Sequence, residues 1–280
     1  MTIGAIVVNH NAGASLLACV TSLVDGGIES IVVVDNDSRD DSIASVQRVY
    51  PAVRVILTGV NAGYGSAVNI GRKEISEEYL FICNPDLVID TVAPTLLGEY
   101  LDHHQDCGVV GPRIFETNGV VYPSARSFPS IRDAIGHALF SMFLPDNQFS
   151  RRYKFAAVNA THAVSVDWVS GASFLARAAA FDAVGGFDER YFMYVEDLDL
   201  CWRLRQVNWV CAYLPAASVT HRGGLSSRQH PYRMLVAHHV STWRFARRSL
   251  TGARASMLPV VLVGIAARLV IALVRQFTHR

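Results

Sequence analysis

A cluster of carboxylates follows an aromatic and apolar run in the sequence RYFMYVEDLDLCWRLRQ. Glu196, Asp197 and Asp199 come directly after this run. Asp199 and Arg203 have the i,i+4 spacing of a helical ion pair, and acids suit the first turn of a helix. A carboxylate beside aromatic side chains also has a raised proton affinity, which suits a general base. The segment therefore predicts a proton acceptor at the start of a helix.

A second carboxylate, Asp86, ends the apolar run EYLFICNPDL. Mg²⁺ and Mn²⁺ prefer hard oxygen ligands, typically one or two carboxylates together with substrate phosphates. Asn84 and Asp86 could supply such ligands, although Asn-Pro-Asp is also an ordinary turn sequence. His221 ends another strand-like run, and the Gly-Gly-x-Ser-Ser that follows offers backbone donors for an anion. Positive charge nearby comes from Arg222, Arg228 and Arg233.

Asp35 and Asp37 follow the apolar run SIVVVD. Acids in that position form turns and helix N-caps, but they also accept hydrogen bonds from a nucleobase or a ribose hydroxyl. The stretch NAGYGSAVNIG, residues 61–71, opens a helix and does not match the dinucleotide pattern GxGxxG. Its glycines allow a ligand to approach closely, and a helix N-terminus favours a phosphate.

Apolar strands and helical segments alternate through the first half of the chain, which predicts βαβ units and a mainly parallel sheet. Ligands of open α/β sheets bind beyond the carboxyl ends of the strands. We therefore expect the polar clusters at the four strand ends to meet in one crevice. These clusters are Asn9-His10-Asn11, Asp35-Asn36-Asp37, Asn61-Ala62-Gly63 and Asn84-Pro85-Asp86.

Composition limits the remaining possibilities. The 280 residues are 51% hydrophobic, enough for the core of one large domain or two small ones. A net charge of +1 gives no reason to expect a nucleic-acid partner. Five cysteines without CxxC pairs predict buried thiols in a reducing compartment. The first residues read as a strand without a basic leader, so we expect a cytoplasmic location.

Taken in order, these blocks make the sequence resemble a family 2 inverting glycosyltransferase of the GT-A fold. The matching stretches are VVNHNAG, VVVDNDSRDDS, NAGYGSAVNIG, NPDL, GGFDERYFMYVEDLDLCWRLR and HRGG, within residues 3–235. The likeness is greatest to bacterial rhamnosyltransferases that act on lipid-diphosphate-linked sugars. It implies a mainly parallel Rossmann-like sheet flanked by helices, with a nucleotide-binding half (residues 1–110) and an acceptor-binding half (residues 111–245). The QxxRW motif of processive synthases is missing, which favours addition of a single sugar.

The resemblance also implies a role for each candidate residue. Asp197 corresponds to the general base and Glu196 supports it. Asp86 matches the last position of the DxD metal motif and would bind Mg²⁺ or Mn²⁺, with His221 near the metal or the diphosphate. The implied nucleotide contacts are Asn9, Asp35, Asp37, Asn61, Gly63 and Asn69. The implied donor or acceptor contacts are Asn84, Gly171 and Arg228.

The implied reaction is transfer of one sugar, L-rhamnose from dTDP-rhamnose, to a polyprenyl-diphosphate-linked saccharide in cell-wall or surface polysaccharide synthesis. A UDP-sugar used on another acceptor and a non-catalytic nucleotide-sugar-binding scaffold are the alternatives. A sugar-phosphate nucleotidyltransferase would need a basic glycine-rich loop after the first strand, which NHNAGAS lacks.

Residues 246–280 form an apolar tail with regularly spaced arginines. The uncharged run Met257–Ala267 is shorter than the ~20 residues that a membrane span needs. Arg247, Arg254, Arg268 and Arg275 recur at multiples of seven and would form one basic stripe on a helix kinked at Pro259. This pattern predicts an amphipathic helix lying on the inner face of the plasma membrane. The alternative is packing on the catalytic domain or on a second subunit of a homodimer.

Overall fold

The computed structural model describes residues 1–128, 159–222 and 231–278. Arg228, one of the predicted donor or acceptor contacts, lies outside the described residues.

The N-terminal part is the predicted alternation of strands and helices. Its elements are β1 (Ile3–Asn9), α1 (Ala14–Asp25), β2 (Ser30–Asp35), α2 (Ser42–Val49), β3 (Arg54–Leu57), α3 (Tyr64–Arg72) and β4 (Tyr79–Cys83). The four strands pair in parallel in the order β3-β2-β1-β4, so their carboxyl ends share one edge. This edge carries the polar clusters.

The following part adds strands of both directions. Its elements are β5 (Leu87–Ile89), α4 (Ala93–His103), β6 (Cys107–Glu116), β7 (Val121–Tyr122), β8 (Ala125–Arg126), β9 (Val164–Val166), β10 (Trp168–Val169), β11 (Ser173–Arg177), α5 (Ala178–Ala183), α6 (Glu196–Gln206) and β12 (Val210–His221). The sheet order is β3-β2-β1-β4-β11-β6-β12-β5, while β8 and β10 form a separate pair. Strand β11 runs antiparallel to both of its neighbours, so the complete sheet is mixed.

Side chains of alternate strand positions build a hydrophobic layer on each face of the sheet. Ala5 and Val7 face a layer that contains α1, α2 and α4, whereas Ile6 and Val8 face a layer that contains α3, α5 and α6. All four are buried. A buried strand covered on both faces reads as a continuous apolar run, which explains the sequence IGAIVVN.

The tail is a helical hairpin and not the single kinked helix that the arginine spacing predicted. It consists of α7 (Pro231–Ser249), a short 3₁₀ helix (Gly252–Met257) and α8 (Leu258–Thr278). Tyr232 near the start of α7 donates to the Gln276 carbonyl near the end of α8, so the two helices run antiparallel. Pro259 is the second residue of α8, in the first turn, where the helix requires no backbone donor.

The hairpin also divides the predicted basic stripe. Arg247 lies on α7 and Arg254 in the 3₁₀ helix, which leaves Arg268 and Arg275 on α8. Helix α7 crosses the expected domain boundary at residue 245. Within the described residues, Gly252–Thr278 is long and apolar enough to cross a membrane, by length and composition alone. The helix continues through Arg268, so the apolar segment is longer than the uncharged run Met257–Ala267 indicated.

Candidate functional site

Asn9 and Asp35 meet at the carboxyl ends of β1 and β2, as expected. The Asn9 amide nitrogen lies 2.8 Å from Asp35 Oδ1, 2.9 Å from Ser38 Oγ and 2.8 Å from Ser42 Oγ. The other Asp35 oxygen accepts from the Ser38 backbone N–H. Asn9 and Asp35 are both buried. This network fixes the loop after β2 onto the end of β1.

Asn36 joins that loop to the glycine-rich segment, and sequence reasoning did not select it. Its amide nitrogen donates to Asn61 Oδ1 and to the Gly63 carbonyl, each at 3.1 Å. Its Oδ1 accepts from the Ala62 backbone N–H. Asn61 and Gly63 are thus placed beside the loop after β2. Asn36 belongs to the polar cluster Asp35-Asn36-Asp37, but the sequence alone does not distinguish a residue that contacts ligand from one that holds two loops together.

Gly63 is required by a close approach of two loops. Its φ is +94°, and an added Cβ would lie well inside van der Waals contact with the Phe192 carbonyl oxygen. The next backbone N–H, from Tyr64, donates to the same carbonyl at 3.2 Å. The glycine therefore brings the segment before α6 against the nucleotide-side loops.

A cavity of about 310 Å³ lies between these loops and the start of α7. It is lined by His10, Asn11, Asp37, Arg39, Asn61, Phe192, Met193, Arg233 and Met234. The strand ends therefore enclose a cavity with two of the predicted nucleotide contacts, Asp37 and Asn61. Another cavity, of about 410 Å³, lies near the end of α6 and is lined by Arg126, Asp167, Arg205 and Trp209, among others. It contains none of the candidate residues.

The two acids at the start of α6 follow an unusual backbone turn. Tyr194 and Val195 have φ of +67° and +71°, a region that a β-branched residue rarely adopts. A non-glycine residue in this backbone conformation destabilises the fold by about 1–3 kcal/mol, and the conformation persists only where surrounding contacts hold it. Immediately after this turn, Asp197 Oδ1 accepts from the Leu198 N–H and Oδ2 from the Gly171 N–H, both at 2.8 Å. Gly171 therefore contacts the predicted base directly.

Glu196 and Asp197 have different surroundings. Glu196 is 6% exposed, and its Oε2 has no hydrogen-bond partner among the described residues. Burial, followed by repulsion from Asp197, raises the pKa of Glu196 to about 8. Burial also raises the pKa of Asp197, although the backbone N–H groups of Gly171 and Leu198 oppose the shift. The site thus holds one mainly protonated acid beside one firmly oriented carboxylate.

Tyr64 connects the acids to the opposite part of the site. Its hydroxyl donates to the Gly171 carbonyl at 2.6 Å. The pKa of Tyr64 is raised by burial first, and further by Cys83 and the negative charges of Glu196, Asp197 and Asp86. Glu196, Asp197 and Asp86 therefore all lie near enough to this buried hydroxyl to affect it electrostatically.

Asp86 and His221 are brought together by strand pairing, because β5 and β12 pair with Leu87 opposite His221. His221 Nε2 lies 3.0 Å from Asp86 Oδ1. The neighbouring Asn84 donates its backbone N–H to the Ala172 carbonyl, next to Gly171. Within residues 1–128, 159–222 and 231–278, no three His, Cys, Asp or Glu side chains cluster as a metal site.

Asn69 does not join the nucleotide loops, in contrast to the prediction. Its amide nitrogen donates to the Phe187 carbonyl and its Oδ1 accepts from the Phe187 N–H, at 2.8 and 2.9 Å. Both atoms thus brace the loop after α5.

Asp199 belongs to a structural network and not to the acid pair. It is fully buried and accepts from Tyr191, Arg203 and Arg248 at 3.1, 2.7 and 3.0 Å. The predicted i,i+4 pair with Arg203 is confirmed. The contact with Arg248 was missed, because that arginine lies 49 residues later in the chain and no local pattern links it to Asp199.

Comparison with known proteins agrees with this architecture. The family model for glycosyl transferase family 2 matches residues 5–170. The chain is 36% identical over 227 residues to the N-acetylglucosaminyl-diphospho-decaprenol L-rhamnosyltransferase of Mycobacterium tuberculosis H37Rv, covering 77% of this chain and 74% of that protein. It is 26% identical over 229 residues to the rhamnosyltransferase WbbL of Escherichia coli K12, covering 79% and 83%.

Solved structures show the same fold at low sequence identity. A crystal structure of GalNAc-T7 with UDP, GalNAc and Mn²⁺ aligns with a TM-score of 0.58 and 14% identity, over 79% of this chain and 44% of that one. The GT-A fold expected from the motifs is confirmed. With a family model matching more than half of its length, the chain belongs to glycosyl transferase family 2 and is a glycosyltransferase.

Proposed function

We propose that this chain is an inverting rhamnosyltransferase that moves L-rhamnose from dTDP-rhamnose to a polyprenyl-diphosphate-linked N-acetylglucosamine-containing saccharide. The names of the mycobacterial and E. coli relatives support the sugar, and the mycobacterial name supports the acceptor. The observation that carries the proposal is a pair of backbone hydrogen bonds. Gly171 N–H donates to Asp197, and Asn84 N–H donates to the adjacent Ala172 carbonyl, which brings the loop of Asp86 close to Asp197. A leaving diphosphate and a proton acceptor need that arrangement.

In the proposed reaction an acceptor hydroxyl attacks the anomeric carbon of the donor sugar. The new C–O bond forms as the bond between the anomeric carbon and the diphosphate oxygen breaks, with its electron pair leaving on the diphosphate. Asp197 takes the hydroxyl proton, and its two backbone hydrogen bonds keep the carboxylate in a fixed orientation. Glu196 remains mainly protonated at neutral pH and adds little negative charge beside the leaving group. Attack opposite the leaving group inverts the anomeric centre.

The nucleotide would occupy the cavity between the strand ends. Asp37 and Asn61 line it, whereas Asn9 and Asp35 hold the loop that shapes it. Residues 1–110 would supply most of the nucleotide contacts, and residues 111–245 would bind the acceptor and complete the cavity wall with residues such as Phe192 and Arg233. Gly171 contacts the base, and Asn84 donates its backbone N–H to Ala172 beside Gly171, so the transferred sugar would sit next to these two residues.

Asp86 and His221 fit a divalent cation that is bound mainly by the diphosphate. Their single carboxylate and single imidazole supply few ligands, and such sites commonly complete the shell with phosphate oxygens and water. A bound Mg²⁺ or Mn²⁺ would neutralise negative charge on the leaving diphosphate. Asp86→Asn should abolish any gain in nucleoside-diphosphate affinity on adding Mn²⁺, measured by calorimetry. The exposed Asp90→Asn is the matched control.

The lipid-linked acceptor gives a reason for membrane attachment through α8. The helix is 21 residues long, with exposed apolar side chains such as Val263 and Phe277, and carries no acidic residue. Attachment through α8 would place the chain on the inner face of the plasma membrane, with the catalytic part in the cytoplasm.

The experiment that tests the proposal has two stages. Thermal-shift measurements should show stabilisation by dTDP and dTDP-rhamnose in preference to UDP and UDP-sugars, with Mg²⁺ or Mn²⁺ present. The purified chain should then transfer rhamnose to N-acetylglucosamine-diphospho-polyprenol in vesicles. Preference for UDP-sugars would support the alternative donor, and binding of nucleotide sugars without turnover on any acceptor would support the scaffold.

A further inference from the structure

The segment of residues 188–199, which we call the base loop, is connected at both ends to one side chain of α7. Arg248 Nη2 lies 2.5 Å from Asp188 Oδ2 at the beginning of the loop. Arg248 Nη1 lies 3.0 Å from Asp199 Oδ2 at its end. The two acids, Glu196 and Asp197, lie between these points. A planar guanidinium can bind two carboxylates at once in a fixed geometry.

Helix α7 also contacts the middle of the base loop. Ser241 Oγ donates to the Met193 carbonyl at 3.0 Å. The ring of Tyr194 packs edge-on against His238, with ring centres 5.6 Å apart. The left-handed turn of the base loop is therefore in direct contact with α7.

Each carboxylate joined by Arg248 has a second partner, so the fold does not depend on Arg248 for charge compensation. Asp199 also accepts from Arg203 at 2.7 Å, within α6 itself. Asp188 also pairs with Arg190 at 2.6 Å. Both of these pairs are local, whereas Arg248 links the loop ends to each other and to α7. Losing Arg248 would thus release the loop while both carboxylates keep a cation.

We propose that Arg248 is a positioning residue for sugar transfer, holding the base loop so that Asp197 faces the donor. This proposal rests on the proposed function of the chain. The tail would then serve catalysis directly, in addition to membrane attachment.

The test compares three variants of the full-length chain. Arg248→Met should lower kcat by about 100-fold, since a displacement of about 1 Å at a reacting group has that effect. Its affinity for the nucleoside diphosphate should change by less than about threefold, because no contact to the nucleotide is removed. Arg248→Lys should restore part of kcat, because one ammonium can reach only one carboxylate well. Arg190→Met, which removes an exposed partner of the same Asp188, should remain close to the wild type.

Hydrogen exchange gives a readout that does not depend on the reaction. Backbone amides of residues 190–196 should exchange faster in Arg248→Met than in Arg190→Met or the wild type. Wild-type kcat or unchanged exchange in Arg248→Met would overturn the proposal, as would equal losses of kcat and nucleotide affinity. If the wild type itself transfers no rhamnose, the proposed function fails, and exchange still decides whether Arg248 holds the loop.

Discussion

Converting each acid of the pair to its amide should distinguish their roles, since Glu196→Gln and Asp197→Asn are matched changes at adjacent positions. Asp197→Asn removes the proton acceptor, and general base catalysis typically contributes ~10²–10⁴-fold. Glu196→Gln should keep kcat within about threefold at pH 7. With a pKa of about 8, Glu196 is already about ten-to-one protonated at pH 7, and glutamine reproduces that neutral form.

The pH dependence of the rate adds a second comparison. Burial raises the pKa of Asp197, so activity should fall on acidification at a pH above the usual aspartate range. Glu196 is still protonated when Asp197 titrates, so this acidic limb should be nearly the same in Glu196→Gln. The pKa read from this acidic limb is an apparent value that belongs to the coupled pair of acids.

The size of the Glu196 effect can be worked out for the free energy of unfolding. The pKa of Glu196 rises from 4.5 to about 8 on folding, so the unfolded chain loses this proton first as the pH increases. Stability should therefore fall between pH 4.5 and about 8 and level off above that. At 1.36 kcal/mol per pKa unit, the cost at pH 7 is on the order of 3 kcal/mol, or roughly 10 °C in Tm for a domain of this size.

The assay is the Tm of wild type and Glu196→Gln across pH 5 to 8, together with kcat for both amide variants. The Tm difference between variant and wild type should grow with pH in favour of the variant. Measuring this change with pH cancels any constant cost of burying the amide. A Glu196→Gln enzyme as inactive as Asp197→Asn, or a Tm difference independent of pH, would refute the reasoning.

Two further predictions concern the loops and the tail. Gly63→Ala should abolish stabilisation by nucleoside diphosphates in a thermal-shift assay, because the added methyl group would collide with the Phe192 carbonyl. The control is Gly59→Ala, which has a similar positive φ but open space around it and should retain binding. A chain lacking residues 252–280 should lose sedimentation with vesicles but keep transfer to a soluble acceptor analogue, whereas loss of residues 246–280 should abolish both. Continued sedimentation without residues 252–280 would exclude α8 as the membrane contact.

The meeting of the strand ends could be predicted because parallel strands direct their carboxyl ends to the same edge. Asn9, Asp35 and Asn61 therefore came together as expected. Asn69 did not, because it lies beyond the first turn of α3, where helix geometry and not strand geometry sets the direction of the side chain. Its separation from Phe187 is 118 residues, so no local pattern reports the contact.

The tail shows why periodicity can mislead. Arginines spaced by seven predicted one helix, but Gly252 with φ of +58° changes the chain direction before α8. The turn signal was present as Thr251-Gly252, and the regular spacing obscured it. The partnership of Arg248 with Asp199 spans 49 residues and depends on the hairpin, so the sequence could not reveal it.

Strand β11 has a consequence for the synthesis of the chain. It fills the gap between β4 and β6, so neither strand has a neighbour on that side until residue 177 has left the ribosome. For about 60 residues of elongation after β6 is complete, the edges of β4 and β6 that β11 will cover remain open to wrong pairing. The nascent chain therefore exposes these edges before Glu196 and Asp197 have been translated, and a chaperone that shields β4 would act in that interval.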